Sequence, residues 1–250
     1  MLDTPFARLH VPGRPLVLYN IWDAGSARAL AEMAVPAIAT GSASVAASQG
    51  YEDGEALPLE ELLRTVRQIR RVTDLPLSVD FEGGYAEMPD GLAANFTRLM
   101  EAGAEGINFE DRIVKGEGLY ALDRQLQRIE VLRSTAGEAG KAVFINARTD
   151  VFLEESDAAR HVDLIEAAIE RGQAYARAGA DGFFVPGLVD PALIRQVCDA
   201  VDIPVNVMAF APDTDLKELA ACGVARISFG PFPWRWAMQA LVEGYSRLKR

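Results

Sequence analysis

Leu77-Ser78-Val79-Asp80-Phe81-Glu82-Gly83-Gly84-Tyr85 is a strand-forming run that ends in two carboxylates and a glycine pair. Side chains on a strand alternate faces with period two, so Asp80 and Glu82 are expected on one face, where the strand stops. Gly83-Gly84 lets the chain turn sharply there or lie close to something bound. Two like charges on one face repel unless a cation offsets them. The stretch therefore reads as the end of a buried strand carrying a hard-metal corner.

Working outward, strand-like and helix-like segments alternate. Strands are expected at 16–21, 37–40, 76–81, 106–109, 142–147, 182–185, 203–207 and 225–229. Helices are expected at 25–33, 58–71, 90–102, 122–138, in one long stretch ending at 178, and at 191–200, 215–221 and 233–248. Ala102-Gly103-Ala104, Ala178-Gly179-Ala180 and Cys222-Gly223-Val224 each close a helix just before a strand. Eight such units in 250 residues match a (β/α)8 TIM barrel forming a single domain over 1–250. A doubly wound open sheet is the rival.

Composition narrows the function. Half the residues are hydrophobic and 24% charged, as in ordinary globular proteins. The net charge of -11 excludes docking on nucleic-acid phosphates or anionic lipid by bulk attraction. No apolar run is long enough to span a membrane, and 1–14 lacks the core of a secretory signal. Cys198 and Cys222 form neither a disulfide framework nor a zinc set, so a cytoplasmic location is expected. With only two histidines, His10 and His161, histidine-based catalysis is disfavoured.

In a barrel of this kind the site lies at the C-terminal ends of the strands. Asn20, Trp22 and Asp23 follow the first strand there, Thr40-Gly41-Ser42-Ala43 the second, Asp80 and Glu82 the third, Glu110 and Asp111 the fourth, Arg148 and Asp150 the fifth, and Asn206 the seventh. Asp80, Glu82 and Glu110 can seat Mg2+, which takes one or two carboxylates directly and fills its octahedron with waters and substrate oxygens. Asp80 is the expected direct ligand, with Asp53 and Asp111 as outer hydrogen-bonding partners. Arg148 can grip a substrate carboxylate, and the Gly41-Ser42-Ala43 backbone can cradle an oxyanion. Trp22 can wall the pocket. Lys115, in the glycine-rich stretch 112–118, reads as part of a gating loop. The gating loop and segment 229–236 would shape the substrate's side arm.

Taken together, Asn20-Ile21-Trp22-Asp23-Ala24, Ala39-Thr40-Gly41-Ser42, Val79-Asp80-Phe81-Glu82-Gly83-Gly84-Tyr85, Phe109-Glu110-Asp111, Ala147-Arg148-Thr149-Asp150 and Pro204-Val205-Asn206 resemble the isocitrate lyase/phosphoenolpyruvate mutase superfamily over nearly the whole chain. The resemblance implies a (β/α)8 barrel, often with its last helix exchanged between subunits, in a homo-oligomer (dimer or tetramer). It implies Mg2+, or Mn2+ in its place, and a small 2-oxo or 2-hydroxy carboxylate. By position it makes Asp53, Asp80, Glu82 and Glu110 the metal set, and Arg148 with Gly41-Ser42-Ala43 and Asn206 the substrate set. Arg148, Lys115 and Asp53 would be catalytic. The chain departs from the superfamily's C–C lyases, which carry Lys-x-Cys-Gly-His in the gating loop. Here Lys115 precedes Gly116-Glu117-Gly118, and Pro186-Gly187-Leu188 stands where those lyases have a glutamate. The expected activity is Mg2+-dependent C–C cleavage beside a 2-oxo acid, as in an isocitrate lyase or an oxaloacetate decarboxylase. Phosphonopyruvate mutase or hydrolase chemistry and a catalytically silent 2-oxo acid binder are the alternatives.

Overall fold

A computed structural model describes residues 2–248; Met1, Lys249 and Arg250, the ends of the expected domain, lie outside the described residues. The eight strands are β1 (Leu16–Leu18), β2 (Ile38–Ala39), β3 (Leu77–Asp80), β4 (Gly106–Glu110), β5 (Phe144–Arg148), β6 (Gly182–Phe184), β7 (Val205–Met208) and β8 (Arg226–Ser228). All pair in parallel in the order β1-β8-β7-β6-β5-β4-β3-β2. A parallel bridge between Ile21 and Thr40 joins β1 to β2 beyond their ends and completes the ring. The expected (β/α)8 barrel is the fold observed.

Period two along each strand sorts residues between two layers. Val79, Ile107, Phe109, Ile145, Phe183, Val207 and Ile227 face the helices and belong to the main core. The intervening positions face the barrel axis and are mostly polar: Ser78 and Asp80, Asn108 and Glu110, Asn146 and Arg148, Asn206, Arg226 and Ser228. At the N-terminal end the interior turns apolar, with Phe6, Leu16, Leu18, Ala37, Ala39 and Phe144 in a separate cluster. Phe6 enters from the chain's first turn; a Cβ on Gly106 would lie 2.5 Å from its ring, so glycine on β4 makes room for this plug.

The helices are α1 (Ala24–Glu32), α2 (Ser42–Ser48), α3 (Leu59–Arg70), α4 (Pro89–Ala102), α5 (Leu122–Glu138), α6 (Val151–Glu154), α7 (His161–Arg177), α8 (Pro191–Ala200), α9 (Leu216–Ala221) and α10 (Phe232–Leu248). Two differ from the sequence reading. The Thr40-Gly41-Ser42-Ala43 turn opens a short helix, α2, rather than a plain loop. The long helical stretch to 178 is broken between α6 and α7, where Asp157 caps a 3-10 turn by accepting from Ala159 N. Asp23, expected on the rim, caps α1 in a reciprocal box with Ser26. On α10, Leu241, Val242, Tyr245 and Leu248 are exposed.

Candidate active site

A cavity of about 200 Å³ opens at the C-terminal end of the strands, lined among others by Gly41, Ser42, Ala43, Asp53, Asp80, Asn108, Arg148, Phe184, Ser228 and Arg235. Its size suits a small acid, being below the roughly 300–1,000 Å³ of drug-sized sites.

Asp80 sits at its base, held by its neighbours. Its N–H donates to Thr40 Oγ1 at 2.9 Å, and its Oδ2 accepts from Ser42 N at 3.0 Å. Oδ1 is buried with no hydrogen-bond partner. A buried carboxylate oxygen left in that state is costly unless something else meets it.

Glu82 lies two residues beyond the end of β3, where φ is +49°, so the turn as well as the strand alternation sets its direction. Its Oε2 accepts from Glu55 N at 2.8 Å and its Oε1 from the Tyr85 hydroxyl at 3.3 Å. Glu55 and Tyr85 also have positive φ. Three non-glycine residues in the left-handed region around one acidic cluster indicate strain concentrated at a functional site. A side chain at Gly84 would be strained, because φ is +82° and its Cβ would collide with Leu92. Arg128 fastens the turn, donating to the carbonyls of Gly83 and Ala86 while stacking over Tyr120.

Burial pushes the Glu82 carboxyl up to about 8, with repulsion from Asp80, Asp53 and Glu55 adding to it. Burial and Asp80 likewise raise Asp53, against a stabilising hydrogen bond from Ser42. Glu110 is raised well above the carboxylate range by burial, which outweighs attraction to Arg148.

Arg148 is held on two sides. Nη1 lies 3.0 Å from Glu110 Oε2, and Nε and Nη2 reach the two oxygens of Asp150 at 2.5 and 2.7 Å. Burial works against its charge, but Glu110 and Asp150 prevail and keep it above the ordinary arginine value. Its two-pronged face, expected for a substrate carboxylate, is engaged by Asp150; one N–H on each terminal nitrogen remains.

Other expected residues stand elsewhere. Asp111 points away from the cavity and accepts from Tyr175 Oη, Arg171 Nη1 and Asp150 N, so it ties α7 to the strand ends. Asn206 lies beneath the cavity, bonded to Asn146 and Ser228. Trp22 lines an outer groove with Tyr19 and Leu30. Lys115 tops a hairpin closed by an Arg112–Leu119 bridge and lines an adjoining cleft with Glu55. None of these last three is in the cavity lining.

Sequence reasoning missed Arg226. It is fully buried in the barrel, donating to Asn108 Oδ1 at 3.1 Å with Nη1 unpartnered, and burial lowers it to about 9 against the attraction of Asp80. A charged residue inside the apolar run Val224–Phe229 was the available signal. Asn20 stands in the cavity lining, on the rim as expected, and also acts as a fastener, donating to Thr40 O and accepting from Phe229 N and Gly230 N.

Among the described residues no three His, Cys, Asp or Glu side chains converge closely enough to hold a metal by themselves. The free Oδ1 of Asp80 amid repelling carboxylates fits an ion that takes one protein ligand directly and completes its sphere with waters and substrate oxygens, the habit of Mg2+.

Comparison with known proteins gives the family. A solved structure from Burkholderia cenocepacia J2315, provisionally described as a phosphonomutase, superposes with TM-score 0.93 at 45% identity, covering 97% of this chain and 96% of that one. The 2-methylisocitrate lyase of Escherichia coli K12 is 28% identical over 97% of this chain and 86% of its own length. The oxaloacetate decarboxylase of Paraburkholderia xenovorans LB400 is 29% identical over 90% and 75%. The phosphoenolpyruvate phosphomutase family model matches residues 6–249. The chain belongs to that family, within the PEP mutase/isocitrate lyase superfamily.

Proposed function

We propose that this chain, as one barrel domain over 1–250, is an Mg2+-dependent lyase that cleaves the C–C bond next to a 2-oxo acid. The observation that carries the reading is the buried, unpartnered Oδ1 of Asp80 at the base of a cavity shared with Arg148. Asp80 would hold the ion directly, with Glu82, Glu110 and Asp53 reaching it through water. When bound, the ion supplies a Lewis acid for the negative charge that gathers on the 2-oxo oxygen.

The chain's own groups do the rest. Arg148, fixed by Asp150 and Glu110, turns its remaining N–H groups to the substrate carboxylate. The N–H of Ala43, in the first turn of α2 and without an intrahelical partner, stabilises developing charge; those of Gly41 and Ser42 are engaged by Ile21 O and Asp80. In an oxaloacetate-type decarboxylation the electron pair of the breaking C–C bond stays with the 2-oxo fragment, carbon dioxide leaves and Asp53 delivers a proton to the carbon. In a retro-aldol cleavage of a 2-hydroxy acid the pair passes to the other fragment, while the hydroxyl gives its proton to Asp53 as it becomes the 2-oxo carbonyl and Asp53 returns that proton to the carbon that holds the pair. Lys115 contributes only once its hairpin folds over the mouth.

A panel of 2-oxo and 2-hydroxy di- and tricarboxylates, assayed for pyruvate or glyoxylate release with and without EDTA, tests this. Release that chelator abolishes is expected; equal turnover in EDTA contradicts it. The 45% identical neighbour's description favours phosphonopyruvate chemistry as the second reading; phosphate release from phosphonopyruvate, with no C–C cleavage, would establish it. We infer a homo-oligomer of cytoplasmic location, the exposed apolar side chains of α10 supporting the former.

A further inference from the structure

Arg226 opens β8 with its side chain wholly buried inside the barrel. Among the described residues no carboxylate lies within ion-pair distance of it, whereas the buried Arg148 is held by Glu110 and Asp150. A guanidinium so placed is costly, and an apolar side chain of similar volume would fill the space without that cost. Its hydrogen bonds show what the arginine does there that an apolar side chain could not.

Arg226 Nη2 donates to Asn108 Oδ1 at 3.1 Å. The same oxygen accepts from Asn146 Nδ2 at 2.9 Å, and Asn146 Nδ2 also donates to Asn206 Oδ1 at 2.9 Å. Asn206 Nδ2 in turn donates to the backbone carbonyl of Arg226 at 3.1 Å. The ring of amides therefore closes on the residue where it began. A guanidinium can only donate and a carbonyl can only accept. The first turns the oxygen of Asn108 toward Arg226, and the second turns the nitrogen of Asn206 toward it. Asn146 links the two in the one sense compatible with both. Without such constraints an amide can be reversed end for end within the same space.

The consequence reaches the cavity. Asn108 and Ser228 both touch the Arg226 guanidinium and both line the cavity, while Arg226 itself does not. Asn108 Oδ1 is engaged twice, and its Nδ2 makes no hydrogen bond among the described residues. That nitrogen is the atom left for whatever enters.

We propose that Arg226 is a positioning residue of the cavity: by holding the Asn108 oxygen, it turns the amide N–H group of Asn108 toward an oxygen of the bound acid. The inference rests on the reading that the cavity takes a 2-oxo acid. Carboxylate and keto oxygens are acceptors, so the reversed amide would set two acceptors face to face.

Calorimetric titration of pyruvate into the full chain in Mg2+ tests it in wild type, Arg226→Met, Arg226→Lys, Asn108→Ala and the double variant of Arg226→Met with Asn108→Ala. Arg226→Met removes the donor and the buried charge, so its Tm should equal or exceed that of wild type. Pyruvate should nevertheless bind about 3- to 10-fold more weakly, the worth of one hydrogen bond. Arg226→Lys, still an obligate donor, should recover part of the loss. Asn108→Ala should weaken pyruvate to a similar degree, and the double variant no further, because one residue acts through the other. Unchanged affinity in Arg226→Met, or losses that multiply in the double variant, overturns the assignment while leaving the 2-oxo acid reading intact. If Arg226→Met does not fold, Arg226→Gln, which can accept as well as donate and so lets the amide reverse, takes its place in the same cycle with the same outcomes. Failure of pyruvate to bind wild type overturns both.

Discussion

At the N-terminal end of the barrel, Phe6, Leu16, Leu18 and Phe144 fill the axis, and His10 stacks on Phe144 at 4.1 Å between ring centres. At the C-terminal end, a few residues further along the same inward-facing positions, stand Asp80, Glu110 and Arg148. Even the titratable group differs in consequence. Burial and the charge of Arg226 push His10 down to about 3, leaving it a neutral filler, whereas burial and repulsion push Glu82 up to about 8, within reach of working pH. The floor closes the barrel with dispersion and area; the mouth retains unpaired polar atoms and repelling charges. One lattice of positions thus separates stability from chemistry by a displacement of two or four residues along a strand.

The sharpest way to break that contrast is a pair of substitutions. Phe6→Ala should cost about 3–5 kcal/mol of stability in urea unfolding, with kcat/KM within threefold of wild type. Asp80→Asn should lower kcat/KM by about 10³-fold while stability stays level or rises, because a buried carboxylate with an unpaired oxygen is removed. If the first loses activity at full stability, or the second unfolds, the two ends are not specialised as described.

A smaller effect tests how the mouth is organised. Asp150→Asn removes the charge that engages Arg148 on its two-pronged face and should reduce kcat/KM about 10- to 100-fold, with the loss mainly in KM. Its outward-facing counterpart is Asp111. Tyr175→Phe deletes a 2.7 Å hydrogen bond to that acid and should cost about 1 kcal/mol of stability without changing turnover.

Much of this division was legible beforehand, and the reason is periodicity. Ile107 and Phe109 alternate with Asn108 and Glu110, so the strand and its polar face are both written in five residues. Asp80, the strand-end acid that lines the cavity, follows from the rule that places sites at strand ends, whereas Glu82 and Glu110 stand outside that lining. Less legible were features set by contacts distant in sequence. Nothing in Gly41–Ser48 marks a helix beginning where Ser42 N meets a carboxylate 38 residues later. Alternation put Glu82 beside Asp80, but a left-handed residue at 82 and the backbone of Glu55 fix where it points. Trp22 looked like a pocket wall because it follows β1, yet the chain had already turned toward α1. Arg226 reads as an interruption of an apolar strand until the ring of asparagines around it is known.

The smallest effect concerns pH. Glu82 has a folded pKa raised to about 8, so between the unfolded carboxylate value and pH 8 the native chain binds more protons than the unfolded one. Its contribution is therefore present in full below that unfolded value and is lost as pH rises through about 8. In metal-free protein the Tm should be higher near pH 5 than near pH 8, and Glu82→Gln should flatten that difference. An unaltered pH slope in the variant would assign the effect to other groups.

The central claim, that Asp80 seats a divalent ion, is tested most directly by titrating Mn2+ into wild type and Asp80→Asn and following free ion by electron paramagnetic resonance. The expected result is one ion bound per chain in wild type and none in the variant at the same concentrations, with both folded by circular dichroism. Equal stoichiometry and affinity in the two proteins would contradict it.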